Sequence, residues 1–335
     1  MAARRVMTLA IQRFDRTAAL HTGKVTIPDV MVMYVPAPTS VAGLMRGVFD
    51  AAEMPLAHYV FLKDIGAPFT AIPVFPDRLF IQQYVYTRPE AGIRSPQDLR
   101  GRRVMVPQYY MTASVWHRGM LKDNYGIKPE EIQWHVSSME RDERMRIPDG
   151  IHVALSPCSH WSAEKLLDGT VDCLMHEGAP VVAGEDGKKL VRVYSNVHSL
   201  QRDFYRKTGF HTAVHVIAAR TEAVKERPEL IEELCDGFDQ AKECAYRILQ
   251  NERMTSLPLM RGYLDETLEL FGEDPWPYGL ERNRAELDQL LAYAHGQGLT
   301  RQRLAPESLF DPPARNFRFR AKFPVSSEPG SVLLF

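Results

Sequence analysis

The chain reads as an α/β protein built on a mostly parallel sheet. Short apolar, β-branched runs cut off by proline or glycine alternate almost throughout with segments of helical periodicity, the pattern of βαβ units. The stretch Arg102 to Gly119, RRVMVPQYYMTASVWHRG, shows one such unit whole. Arg103 to Val106 form a buried strand stopped by Pro107, which cannot donate a ladder hydrogen bond. Thr112 is placed to cap a helix in which Ala113, Trp116 and Met120 share one face. The 335 residues, 45% of them apolar, suffice for one to three domains.

In order, Arg5 to Gln12 reads as a strand, followed by a short helix ending near Gly23. Asp29 to Val35 is a strand, Ser40 a cap for a helix over Val41 to Phe49, and Asp50 to Met54 a strand running into a helix over Leu56 to Leu62. Phe69 to Val74 is a strand, and Phe80 to Tyr86 another that leaves this first region. Ser95 to Leu99 carries a helix start signal, and the helix after Thr112 stops at Gly126. Glu131 to Val136 and Ile151 to Leu155 are short strands. His160 to Leu167 is a helix closed by Gly169, and strands follow at Val171 to Met175 and Val191 to Tyr194. Tyr205 to Phe210 is polar and broken by glycine, and His215 to Ala219 is a strand. Helices then cover Glu222 to Arg227, Pro228 to Leu249, Leu257 to Leu270 and Arg284 to His295, with a stiff Pro- and Trp-rich loop at Gly272 to Gly279. From Pro306 the chain is expected to be extended, wrapping the surface or reaching a partner subunit.

The net charge is −1 with both signs scattered, which argues against a nucleic-acid or anionic-membrane surface. Cys158, Cys173, Cys235 and Cys244 have no CxxC spacing and read as free thiols. The basic start at Arg4 and Arg5 precedes an apolar run too short for a secretory signal, and no window spans a bilayer. A cytoplasmic protein is expected.

Nucleotide-loop, zincin, hydrolase-elbow and EF-hand motifs are absent. His211 and His215 would share a strand face, and a satisfied polar pair is favoured there over metal ligation. No metal site is expected. The turn holding Gln108, Tyr109 and Thr112 offers free N–H groups and a helix N-terminus to a carboxylate. Arg78, between prolines in PVFPDR, has the forked geometry for a carboxylate; a surface salt bridge is an equal alternative. Asp15 and Arg16 follow the first strand, where loops line the ligand crevice of open α/β sheets. Glu53 is an acid after an apolar strand, with helix-dipole stabilisation as its bland alternative. Trp276-Pro277-Tyr278-Gly279 could stack on a planar ligand or plug a core edge.

Taken together, FDRT (Phe14 to Thr17), AEM (Ala52 to Met54), IPVFPDR (Ile72 to Arg78), VPQYYMTASVWHRG (Val106 to Gly119), HVIAAR (His215 to Arg220) and WPYGLERNR (Trp276 to Arg284) resemble the 4,5-dihydroxyphthalate decarboxylase family, from about residue 6 to about residue 312. The resemblance implies a two-lobed α/β fold of the type II periplasmic-binding-protein kind with a ligand cleft between the lobes. Lobe one would comprise residues 1–87 and 200–300, lobe two residues 88–199, and residues 301–335 an extended tail suited to a homo-oligomer. Two positions depart from the expected pattern: Gln108, where a glutamate is expected, and Gln82, where some relatives are expected to carry a basic residue or histidine.

The implied reaction removes one carboxylate from 4,5-dihydroxyphthalate, giving protocatechuate and CO2 in aromatic catabolism, with no cofactor. It asks for a base on a phenol, an acid for carbon and cations for the retained carboxylate. His215, Glu53 and Asp15 are the expected acid/base residues, His215 because its ordinary pKa lies nearest neutrality. Arg16, Arg78, Gln108, Tyr109, Thr112, Trp276 and Tyr278 are the expected substrate contacts. Competing readings are a non-catalytic solute-binding protein for an aromatic carboxylate, a decarboxylase of another hydroxybenzoate-type acid, and an enzyme of pyrimidine or thiamine-precursor type.

Overall fold

The structure, a computed structural model, describes residues 5–140, 142–159, 162–180 and 190–324. Among these, the apolar runs become eleven strands: β1 (Met7–Ile11), β2 (Val30–Tyr34), β3 (Ala51–Pro55), β4 (Phe69–Ile72), β5 (Val85–Thr87), β6 (Arg103–Val106), β7 (Gln133–Val136), β8 (Val153–Leu155), β9 (Cys173–Met175), β10 (Val191–Arg192) and β11 (His215–Arg220). They form two sheets, ordered β2-β1-β3-β11-β4 and β10-β5-β9-β6-β7-β8. In β1 only Thr8 is not fully buried, as a strand covered on both faces requires. Each fully buried Leu or Ile there contributes on the order of 1.5–3 kcal/mol.

The sheets are mixed, which corrects the mostly parallel expectation. β2, β1 and β3 are mutually parallel, as are β9, β6, β7 and β8. β11 runs antiparallel to β3 and β4, and β5 antiparallel to β9 and β10. The reason is topological. The chain leaves the first sheet to enter the second as β5 and returns to the first as β11, each time against the direction of its new neighbours. The two joining segments run side by side: Leu79 N donates to Thr212 O at 2.9 Å and Val214 N to Asp77 O at 3.0 Å, and Arg78 bridges Ala213. Residues 85–87, placed with lobe one by the sequence, pair in the second sheet.

Several local expectations shift. The helix expected from Val41 starts earlier, as Ala37–Met45 after Pro36. Ser40 lies inside it and donates to Ala37 O and Glu53 O instead of capping. Thr112 is the first residue of its helix, Thr112–Tyr125, not its cap; its hydroxyl accepts from Ala57 N at 3.0 Å, joining two helix N-termini. Gly126, at φ 66°, ends that helix in the left-handed region. Ile81–Tyr84 is a single 3-10 turn, so only the end of the expected Phe80 to Tyr86 strand forms. Ser95 and Asp98 close a capping box on one turn, Pro96–Leu99. The polar, glycine-broken stretch expected at Tyr205 to Phe210 instead closes a helix at Val197–Thr208, whose Val197, Leu200 and Phe204 recur at helical steps and pack on the core. The helix expected from His160 is Glu164–Leu167; His160 and Trp161 lie outside the described residues. Cys173 and Cys235 are buried, whereas Cys158 and Cys244 are half-buried.

The segment after Pro306 is not simply extended. It makes a turn at Pro306–Leu309 and a helix at Pro312–Asn316, and Phe310 bridges Ala71 in β4. Arg320 N and Ala321 N donate to the Asp239 carboxylate, and Phe323 stacks on Tyr246 at 4.2 Å. Up to residue 324 the tail therefore wraps its own chain; residues 325–335 lie outside the described residues. No described helix is long and apolar enough to cross a membrane.

The longest helix, Leu230–Gln250, lies against Asp15–His21. At Gly237 an added Cβ would collide with the Ile27 side chain. Gly237→Ala is expected to destabilise by about 1–3 kcal/mol despite its better helix propensity, read as a lowered midpoint in urea unfolding.

Candidate active site

β3 and β11 pair so that Ile217 opposes Glu53 and His215 opposes Pro55. Two residues on the same face of adjacent strands, offset by two in register, can meet across the diagonal, and here they do. His215 Nδ1 lies 2.6 Å from Glu53 Oε1. Glu53 is wholly buried and His215 nearly so. Gln12, just past the end of β1, completes the carboxylate: its backbone N donates to Oε2 and its side-chain amide to Oε1, each at 2.9 Å. The cluster sits at the carboxyl ends of the parallel strands, the usual place for chemistry in an open α/β sheet.

Burial alone would lower the His215 pKa, but the Glu53 hydrogen bond and charge, with Asp77 and Glu177 farther off, push it up to about 9. Burial would raise the Glu53 carboxyl, and the His215 and Gln12 interactions outweigh that and hold it below its ordinary value. The pair is therefore imidazolium and carboxylate at neutral pH. Asp77 is the second carboxylate, with Oδ2 3.9 Å from His215 Nδ1 and its side chain 21% exposed. Burial lifts it to about 6, against the lowering by His215; Glu53 and Glu177 raise it further and Arg16 lowers it.

Arg16 is clamped beside this cluster. Its Nε donates to Pro76 O at 2.5 Å and its Nη1 to Asp15 Oδ1 at 3.1 Å. Its guanidinium carbon stands 3.7 Å from the Trp276 ring centroid and 4.2 Å from that of Phe14, a stacked arrangement that suits guanidinium. Asp15 itself is exposed and bound to Arg16. Trp276 is held by donation from Nε1 to Phe75 O at 2.8 Å. Its loop is anchored by buried Lys242, whose Nζ donates to Asp274 Oδ1 and Trp276 O.

Other expected contacts are used elsewhere. Arg78 is buried, with Nη1 donating to His211 O and the Glu286 carboxylate and Nη2 to Pro277 O and Asn283 Oδ1. It ties the joining segments to the helix Leu280–Gly296 and is not presented to a substrate carboxylate. Tyr109 and Tyr278 are buried in the core, Tyr109 under Arg118 and against Trp134, Tyr278 under Lys242 and against Phe319. Gln108 donates to Met139 O at 2.9 Å. His211 precedes β11, so strand alternation does not apply to it; it stacks on Phe80 at 4.7 Å, and burial, with Arg78 and Arg16, holds its pKa well below the ordinary value. Asp77 and Gln12 were missed as site residues. The signal for Asp77 was its place after β4 beside the arginine that drew attention instead.

Two α/β sheets exchanging one strand each, with an acid–base cluster at the strand ends, describe a two-lobed periplasmic-binding-protein-like fold. Solved structures agree. The chain matches the periplasmic aliphatic sulphonate binding protein SsuA from Escherichia coli with a TM-score of 0.51 at 14% identity, covering 99% of each chain. It matches the alkanesulfonate-binding protein SsuA from Xanthomonas axonopodis pv. citri with a TM-score of 0.53 at 12% identity, covering 92% of this chain and 99% of that one. At such identities the likeness is one of fold. By sequence, the chain is 29% identical over 317 residues to a 4,5-dihydroxyphthalate decarboxylase of Comamonas testosteroni, spanning 91% of this chain and 96% of the other. It is 27% identical over 213 residues to one of Pseudomonas putida, spanning 61% and 83%. No protein-family model matches. The resemblance to the 4,5-dihydroxyphthalate decarboxylase family is thus borne out along the chain.

A histidine that binds its proton more tightly when folded stabilises most below its unfolded pKa, near 6.5, and that stability is lost as pH rises through about 9. Thermal stability is accordingly expected to fall between pH 7 and 9.5, and His215→Gln is expected to flatten that slope. Arg78→Ala leaves Glu286 buried without its cation, and a loss of about 3–5 kcal/mol is expected in denaturant unfolding.

Proposed function

We propose that the protein is a decarboxylase of a dihydroxylated phthalate, taking 4,5-dihydroxyphthalate to protocatechuate and CO2 by acid/base chemistry of its own side chains. The observation that carries this reading is the buried His215–Glu53 pair in a chain whose curated relatives bear that activity. In this reading the substrate lies in a cleft between lobe one, built on the first sheet, and lobe two, built on the second, which includes residues 85–87. The protein works in the cytoplasm.

The chemistry asks for little. Removing the proton of the hydroxyl para to the departing carboxylate pushes electron density onto the ipso carbon. That carbon takes a proton, the C–C bond breaks, its electrons restore the ring and CO2 leaves. His215 uses Nδ1 toward Glu53, which leaves Nε2–H of the imidazolium as the acid for carbon; Glu53 is the positioning residue that keeps it charged. Asp77, ionised above about pH 6, takes the phenolic proton. Arg16, braced between Phe14 and Trp276, receives the retained carboxylate, and the Thr112 turn assists.

The test is direct: incubate the purified protein with 4,5-dihydroxyphthalate and follow protocatechuate by HPLC and CO2 in parallel. His215→Ala is expected to lower kcat roughly 10²–10⁴-fold; an unchanged rate removes His215 from the reaction. Binding of phthalate-like acids without turnover would overturn the enzyme reading.

A further inference from the structure

The Glu53–His215–Asp77 cluster draws its groups from the first sheet and the segments joined to it. The second sheet also sends an acid toward it. β9 runs parallel to β6, so its end at Met175 lies on the edge of that sheet where ligands gather in α/β folds. Just past it the chain is pinned. His176 N donates to Tyr84 O at 3.0 Å, and Glu177 N donates to His176 Nδ1 at 2.9 Å. His176 is buried, and its carbonyl oxygen lies 3.3 Å from His117 Nε2. Tyr84 closes the turn Ile81–Tyr84, in the same joining segment that carries Asp77. Glu177 is thereby fixed to the strand-to-strand connection on which Asp77 stands.

Glu177 is near enough for its charge to be felt in the cluster: it raises the pKa of both Asp77 and His215. Glu53, His215 and Arg16 reach that cluster from the first sheet; Glu177 reaches it from the second. Glu177 is half-buried and the Asp77 side chain is 21% exposed, so neither carboxylate is sealed in the core. Two carboxylates that face one site disfavour each other's charge, and each only accepts hydrogen bonds when ionised. A ligand that donates one hydrogen to each relieves both, and vicinal hydroxyls on one ring do so. A ligand carboxylate is repelled there and belongs at the Arg16 guanidinium.

We propose that Glu177 is the specificity-determining residue of lobe two: its carboxylate accepts from the hydroxyl para to the carboxylate that stays, while Asp77 takes the neighbouring hydroxyl, para to the one that leaves. The catechol edge then bridges the two lobes, and the site selects a vicinal dihydroxylated aromatic acid over monohydroxylated ones. The orientation of the ring rests on the decarboxylase reading. Glu177 forms and breaks no covalent bond; it binds the hydroxyl that the reaction leaves unchanged.

The experiment measures binding to the full chain by calorimetry, with protocatechuate, 4-hydroxybenzoate and 3-hydroxybenzoate as ligands. None of them carries the departing carboxylate, so the result does not depend on turnover. With respect to the retained carboxylate, 4-hydroxybenzoate keeps only the hydroxyl assigned to Glu177 and 3-hydroxybenzoate only the one assigned to Asp77. Glu177→Ala is expected to weaken protocatechuate and 4-hydroxybenzoate at least roughly tenfold and to leave 3-hydroxybenzoate within about twofold. Because loss of a half-buried acid can unsettle the fold, Glu177→Gln, of the same size, is measured beside it; it is expected to keep its melting temperature and to bind 4-hydroxybenzoate at least about threefold more weakly. An equal loss for the two monohydroxylated acids overturns the proposal, because a merely structural role would give it. So does unchanged binding of 4-hydroxybenzoate in every variant that folds, or failure of the unaltered protein to bind protocatechuate. Absence of decarboxylation with these selectivities intact overturns the enzyme reading alone and leaves the assignment of Glu177 standing.

Discussion

The contact on which the site depends is the buried hydrogen-bonded ion pair between Glu53 and His215. A carboxylate with no exposure is expensive unless it is paired and its lone pairs are satisfied. Here the partners arrive from three strands: Glu53 in β3, His215 in β11 and Gln12 after β1. The pair spans 162 residues of sequence, so the charge can be buried only once the return strand has joined the first sheet. Assembly of the first sheet and burial of the pair are therefore coupled.

The same return strand explains the neighbourhood. Because β11 enters antiparallel, its first residue stands at the end of the sheet where β1 and β3 finish. The segment before it lies along the outgoing segment after β4, and Asp77 is held by backbone bonds from Val214 N and His215 N to its carbonyl. Arg78 points the other way and secures that junction to Glu286 and Asn283. Adjacent residues in one short motif thus divide the work: the acid faces the histidine and the base of the motif holds the framework.

Arg16 and Arg118 show how context sets the use of one residue type. Arg16 has oxygen partners on one side and aromatic faces on two others. Arg118 has an aromatic face and a single amide partner, with its terminal nitrogens unused. The first is a clamped cation beside the Glu53–His215 cluster; the second is buried in the core under Tyr109.

By itself the sequence determined the alternation of strands and helices, because apolar periodicity and the proline and glycine stops act over a few residues. It also singled out Glu53, His215 and Arg16 through motifs that resemble a known family. Only the tertiary structure decided that the sheets are mixed, that Asp77 and not Asp15 faces His215, and that Arg78, Tyr109 and Tyr278 belong to the framework. Those outcomes depend on which distant strand lies alongside which, and on where a buried charge finds its partners. Neither is written in local spacing, because a side chain's role is set by neighbours a hundred or more residues away.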